Sequence, residues 1–191
     1  RPVKEINDEI RLLTLGAYAP LRYVLPHKQA EYQRLYDTKV RGGQSFFRQV
    51  DREESMVHLL RINLLKRMES SVASFALTLQ RQLADVDALL HKLDARMDFM
   101  EELSSEDIEV DDPTMETLLV GRKVKVLLND VDRLKWRQDL TEDRGRLASL
   151  FSAAMQVGAS RDAKLDTLRG IIEEKVRHPL NPGNRKVIVF T

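Results

Sequence analysis

The sequence predicts a mainly α protein built on a long antiparallel helical hairpin of coiled-coil type, with a small helical base and few strands. Three observations predict it. The 8 Gly and 6 Pro of the 191 residues gather at a few places and leave Phe46 to Leu103 free of both. Within that stretch Ala76, Leu79, Leu83, Val86, Leu90, Leu93, Met97 and Met100 recur at alternating spacings of three and four, the pattern of a helix that buries one stripe. A second set, Leu134, Leu140, Leu147, Leu150, Phe151 and Ala154, offers a partner stripe downstream. Composition agrees with a core-forming chain. With 42% hydrophobic and 32% charged residues and a net charge of +1, it is too polar for a membrane span and too neutral for a polycation that coats nucleic acid. The absence of cysteine excludes thiolate metal sites, iron–sulfur clusters and cysteine nucleophiles, and fits a reducing compartment such as the cytoplasm.

Taken in order, residues 1–45 read as a linker with short helices, broken by Gly16, Pro20, Pro26 and Gly42-Gly43. Residues 46–158 carry the hairpin. A helix starting near Phe46 presents Met56, Leu59, Leu60, Leu64 and Met68. A bend follows at Glu69 to Ser71, where Ser70 or Ser71 accepts a backbone N–H and caps the next helix. That helix, from about residue 71 to 103, would reach on the order of 45–50 Å at ~1.5 Å per residue. Such a stripe needs a partner, because helices in water are stabilised mainly by burying an apolar face. The helix from about Val131 to Val157 can pack antiparallel against it, with Gly145 as a tolerated weak point. An intermolecular coiled coil is the competing arrangement.

Between the two stripes, Ser104 to Pro113 is acidic, with Glu106, Asp107, Glu109, Asp111 and Asp112. It reads as a solvated tip, since it lacks the Gly and terminal Glu of a calcium-binding EF-hand loop. Lys123 to Leu128 alternates charge with Val124, Val126 and Leu128 and predicts a short strand, after which Asn129 or Asp130 caps the following helix. Residues 159–191 hold an amphipathic helix beginning at Ser160 or Asp162, with Leu165, Leu168, Ile171, Ile172 and Val176 on its inner face and Pro179 to Gly183 closing it. Four apolar residues, Val187 to Phe190, then read as a strand buried on both faces of a parallel sheet that the chain itself does not supply. Together with a start at Arg1 that lacks an initiator Met, this predicts a piece cut at a domain boundary.

These residues carry a resemblance. Asp162-Ala163-Lys164-Leu165-Asp166-Thr167-Leu168, followed by Lys186-Val187-Ile188-Val189-Phe190-Thr191, resembles the helix and first strand of the second RecA-like lobe in superfamily 2 helicases. Leu64-Leu65-Lys66-Arg67-Met68-Glu69-Ser70-Ser71-Val72-Ala73-Ser74-Phe75 is similar to the segment after the first lobe in bacterial Swi/Snf-like, RapA-like ATPases. Pro20-Leu21-Arg22-Tyr23-Val24-Leu25-Pro26-His27-Lys28, with Tyr32 and Tyr36, looks like their interlobe region. The resemblance implies that the chain is the linker and helical insertion between two motor lobes, and that its terminal strand belongs to a lobe outside it. For the parent it implies ATP and magnesium as cofactors and DNA as partner, with the flanking lobes of the same chain as neighbours and no membrane. The fragment itself is expected to hold no cofactor. It contains no G-x-x-x-x-G-K-[ST] loop to cradle phosphates, no D-E-x-H pair and no placeable arginine finger, so ATP hydrolysis is not expected of it alone.

Candidate residues are few. His27, His58, His91 and His178 are scattered. Only His91, with Asp87 and Asp94, has carboxylates at a convincing metal-ligand spacing, and such neighbours are expected by chance on a charged helix. Ser70 and Ser71 lack a base and a nucleophile elbow. Arg41, Arg48, Arg52, Lys66 and Arg67 are the candidates for contact with DNA phosphates or with a neighbouring lobe. Phosphate binding needs several cations on one face, and Asp51, Glu53 and Glu54 interrupt this set. Arg61 falls roughly opposite Lys66. Trp136 reads as a packing anchor at the hairpin base, and Tyr18, Tyr23, Tyr32 and Tyr36 as a small core with hydroxyls at its rim. The rival functional class is a free-standing coiled-coil scaffold that self-associates through its helices.

Overall fold

A computed structural model describes residues 3–39, 46–95, 102–104, 124–156, 163–179, 181 and 183–188. The fold is mainly α. Helix α1 (Val3–Leu12) leads into two short 3₁₀ turns, Gly16–Tyr18 and Pro20–Tyr23, and then α2 (Gln29–Tyr36). A two-residue ribbon pairs β1 (Thr38–Lys39) with β2 (Phe46–Phe47) antiparallel. Two long helices follow, α3 (Gln49–Ser70) and α4 (Val72–Asp94), then β3 (Glu102–Ser104) and β4 (Lys125–Leu127), a third 3₁₀ turn (Leu128–Asp130), α5 (Arg133–Met155) and α6 (Ala163–Arg177).

The break between α3 and α4 falls at the double serine. Ser71 takes an extended backbone, and its hydroxyl accepts the amide of Ser74, the N-cap geometry that satisfies a free helix-end donor. Helices α4 and α5 then lie antiparallel. Arg137 reaches Asp94 and Arg144 reaches Asp87, so a step of seven residues along one helix is matched by seven in the opposite sense along the other. Between them α4 buries Phe75, Ala76, Leu79, Val86 and Leu93, while α5 buries Trp136, Leu140, Leu147, Leu150 and Ala154. Helix α3 adds Met56, Val57, Leu60 and Leu64, and the N-terminal segment adds Ile10, Leu13, Leu15 and Tyr18. All belong to one continuous core.

Several expectations need correction. Helix α4 ends at Asp94, where Ala95 turns to an extended conformation, so its 23 residues span about 35 Å at ~1.5 Å each. Leu103, expected at the end of that helix, is instead the middle residue of β3, paired with Val126. Met97 and Met100 lie outside the described residues, as does the acidic stretch 105–113. Leu83 and Leu90 are only partly buried, because the buried line runs through Gln82. Leu134 is 84% exposed, so the α5 stripe starts at Trp136. The cap of α5 is Asp132, whose carboxylate accepts the Lys135 amide at 3.0 Å. Asp130 instead turns inward to the Tyr32 hydroxyl. Among the described side chains of α6 the expected inner face is not buried, since Leu168 and Ile172 are half-buried while Ile171 and Val176 are exposed; the Leu165 side chain lies outside the described residues. Val187 and Ile188 are exposed and belong to no strand among the described residues, and Val189 and Phe190 lie outside them.

Candidate functional site

The polar architecture centres on the short turns after α1, where the chain must reverse in tight space. Leu15 adopts a left-handed backbone (φ 51°, ψ 43°), a conformation that costs a non-glycine residue about 1–3 kcal/mol. Asp143 of α5 compensates for it. Its carboxylate accepts the amide of Thr14 at 2.7 Å, the Thr14 hydroxyl at 2.8 Å and the amide of Gly16 at 3.0 Å, an anion held by a concave row of backbone donors. Burial pushes the Asp143 carboxyl above its ordinary value, against the opposing pull of those donors. Arg61 of α3 donates from Nε to the Leu13 carbonyl at 2.9 Å, which secures the other side of the same turn.

Next to it, Tyr23 and Trp136 stack with ring centroids 5.1 Å apart and planes 9° from parallel. The Trp136 indole N–H donates to the Gly16 carbonyl at 3.0 Å, so this residue is a core anchor, as expected. The four tyrosines are committed in the same way. Tyr18 donates to Asp85 and Tyr23 to Asp139, each at 2.8 Å. Tyr32 donates to Asp130 at 2.9 Å and accepts the Leu127 amide at 3.0 Å. Tyr36 both donates to the carbonyl and accepts the amide of Lys125. Burial raises the Tyr18 and Tyr23 hydroxyls well above their ordinary value, with Asp85 and Asp139 adding to the effect. Tyr32 is pushed up to about 12, again chiefly by burial. Tyr18, Tyr23 and Tyr32 therefore hold structure and do not titrate near neutrality.

A cleft of about 290 Å³ opens beside this core. One wall is the Pro20–Tyr23 turn and the residue after it, through Leu21, Arg22 and Val24; the second is α2 with Gln29, Tyr32, Gln33 and, just beyond it, Asp37. The start of α3 closes it with Arg48 and Val50. Arg22 is held by Glu54, at 3.0 Å from Nε and 2.8 Å from Nη2, and donates to the Thr14 carbonyl at 3.1 Å. Asp37 accepts the Gln49 amide at 2.9 Å and so satisfies the first turn of α3. Behind this wall Glu53 is 4% exposed and accepts the Leu21 amide at 3.0 Å. Its second oxygen is buried without a hydrogen-bond partner, and burial pushes its carboxyl well above 4.5.

The structure does not assemble the expected basic residues into one face. Arg48 is exposed at the N-terminus of α3, with Arg52 partly buried one turn on. Lys66 and Arg67 sit near the other end of α3, 18 and 19 positions from Arg48, about 27 Å away at ~1.5 Å per residue. Lys66 is exposed, whereas Arg67 is half-buried and its Nε is buried without a hydrogen-bond partner. Arg41 lies outside the described residues. His27, His58, His91 and His178 are all exposed, and among the described residues no three acidic or histidine side chains are grouped to hold a metal ion. Of the described helices, none is long and apolar enough to cross a membrane.

Sequence reasoning overlooked Glu53, Gln82 and Asp143, yet each carried a signal. Glu53 stands one helical repeat before Met56, Val57, Leu60 and Leu64; Gln82 lies between Leu79 and Val86, and Asp143 between Leu140 and Leu147. A polar residue at a stripe position marks a group that must be satisfied inside. Comparison with known proteins finds no matching family model. It likewise finds no curated protein similar in sequence and no similar solved structure.

Proposed function

We propose that this chain is the helical region joining the two motor lobes of a Swi/Snf-like, DNA-dependent ATPase, a mechanical element without ATP-hydrolysing groups of its own. The observation that carries the reading is apolar surface near its last described residues. Ile171 is 56% exposed and Ile188 78% exposed, and both lie in the segment that resembles the approach to a second RecA-like lobe. Together with Val187, 38% exposed and adjacent to Ile188, these exposed apolar side chains fit a junction with a neighbouring body. The second stretch of resemblance, Leu64 to Phe75, spans the α3–α4 corner, with Leu64 and Phe75 buried and Lys66 on the surface. In this reading Lys66 and Arg67 meet the first lobe, and Arg48, Arg52 and Arg41 face the lobe or DNA. ATP and magnesium are bound by the flanking lobes, and the paired helices α4 and α5 form an arm rooted beside the hinge, able to limit lobe closure.

A self-associating scaffold has less support, because the α4 stripe on which it rests is buried against α5 of the same chain. Two measurements test the proposal. The coding sequence on either side should encode a phosphate loop upstream and an arginine-finger segment downstream; a start codon just before Arg1 and a stop codon after Thr191 would defeat it. In the parent protein, Lys66→Glu with Arg67→Glu should lower DNA-stimulated ATP hydrolysis, and full retention of stimulation would remove these residues from the lobe contact. Sedimentation of the isolated chain, expected to give a monomer at micromolar concentration, distinguishes the scaffold.

A further inference from the structure

We propose that Glu53 is a proton-operated latch on the cleft: neutral, it seats Leu21 of the Pro20–Tyr23 turn against α3; ionised, it lets that part of the turn lift into the cleft and admits water. The seam between turn and helix has the geometry for it. Glu53 stands one helical turn after Val50 on α3, and Val50 forms one side of the cleft while Leu21 and Arg22 form another. Its Oε2 accepts the Leu21 amide at 3.0 Å, and its Oε1 is buried with no hydrogen-bond partner. Leu21, like Glu53, is closed off from solvent. A neutral carboxyl leaves an uncharged oxygen unpaired there, a modest cost. Ionisation leaves a charge with one donor in a dry seam, a state that is relieved by taking up a proton or by moving toward water.

The surroundings do not compensate the charge. Arg22, on the facing turn, favours the ionised form, and Glu54, beside Glu53 on α3, opposes it. Arg22 is committed, with Nε and Nη2 on Glu54 and Nη1 on the Thr14 carbonyl. On the other elements packed about the seam, Tyr18 is bonded to Asp85 of α4, Tyr23 to Asp139 of α5 and Asp37 to the Gln49 amide, while Arg48 at the cap of α3 is exposed. None of these supplies a counter-charge, and burial holds the Glu53 carboxyl well above 4.5. The moving part is small. Upstream, the Gly16 carbonyl is fixed by the Trp136 indole. Downstream, the Tyr23 carbonyl accepts the Asp132 amide at 2.7 Å and the Leu25 amide donates to the Asp130 carbonyl at 2.8 Å. Between these anchors the turn is tied to α3 by the Glu53 bond and by the Arg22–Glu54 pair, which water screens. Loss of the Glu53 bond therefore frees Leu21 and Arg22 without unseating the core, and widens a cleft of about 290 Å³.

The test is an NMR titration of the full 191-residue chain from about pH 4.5 to 9, following the Glu53 carboxyl carbon and the Leu21 amide and methyl signals. One inflection shared by Glu53 and Leu21 is expected, above the ordinary carboxylate range. Past it, the protection of the Leu21 amide from hydrogen exchange should fall roughly tenfold or more, while Leu147 in α5 keeps its own. Asp143 is followed in the same spectrum through the Thr14 and Gly16 amides it holds, which tells the two carboxyls apart. Glu53→Gln, an uncharged isostere that can still accept the Leu21 amide, should abolish the Leu21 response. Glu54→Gln, which frees Arg22 and removes the opposing charge, should lower the inflection. The inference is overturned by Glu53 titrating near 4.5, by Leu21 signals that stay constant through the Glu53 inflection, by a Leu21 response that persists in Glu53→Gln, or by an inflection that Glu54→Gln leaves in place. Should Glu53→Gln not fold, the wild-type and Glu54→Gln titrations decide. None of these outcomes bears on the interlobe proposal, which rests on Lys66, Arg67 and the surface of α6.

Discussion

Glu53 occupies a helix position where the surrounding stripe would place a leucine, and the physics of that substitution is testable. Its native carboxyl is raised by burial well above 4.5, with Arg22 opposing and Glu54 reinforcing the shift. A group whose folded pKa exceeds its unfolded one stabilises the protein fully below the unfolded value, and that contribution is lost as pH rises through the folded value. Thermal midpoints of the wild type should therefore fall as pH rises from about 4.5 through neutrality. Glu53→Gln should flatten part of that slope, and Asp143, shifted in the same direction, should keep the remainder. Asp94, held below its ordinary value by Arg137, acts in the opposite sense at the acid end but is exposed, so its effect is small. Gly16 gives a second test. A Cβ there would lie 2.5 Å from the Tyr23 hydroxyl, which stacking on Trp136 and the bond to Asp139 hold in place. Gly16→Ala should cost about 1–3 kcal/mol, read by urea unfolding; a change within about 0.5 kcal/mol would show that the ring can move.

At the level of elements, the α4–α5 pair separates buried from exposed positions that look alike in sequence. Val86 is fully buried, so Val86→Asp should destabilise by about 2–5 kcal/mol. Leu134→Asp, at an 84% exposed position, should stay within about 0.5 kcal/mol. Circular dichroism melting of both variants checks the contrast, and equal losses would mean that Leu134 is covered in solution. Much here was legible. The corner at Ser71, the short strand at Lys125–Leu127 and the start of α6 near residue 163 follow from caps, alternation and turn residues. The end of α4 was not legible, because the three-and-four spacing continues through Met97 and Met100 with no Gly or Pro to stop it. What competes with the helix is the pairing of Glu102–Ser104 with Lys125–Leu127, a contact between distant segments that local propensity does not record.

For the whole molecule, the helices divide by how much they bury. Helix α5 encloses Trp136, Leu140, Leu147 and Leu150 at 1% exposure or less, whereas no described side chain of α6 is fully buried. Hydrogen exchange of the isolated chain should therefore protect α5 amides to near the global unfolding limit and leave α6 amides exchanging by local opening. Equal protection would mean that α6 is packed in solution. The candidate cleft was beyond sequence reasoning for a related reason, since its walls come from three segments whose meeting depends on buried bonds such as Leu21 to Glu53 and Gln49 to Asp37. One arrangement has a wider effect. The phenols of Tyr32 and Tyr36 occupy the outward amides of Leu127 and Lys125 and the Lys125 carbonyl, the groups a third strand would seek on that flank. The ribbon is thereby sealed along one border, and a stray chain seeking to zip onto it there meets aromatic alcohols in place of vacant ladder rungs.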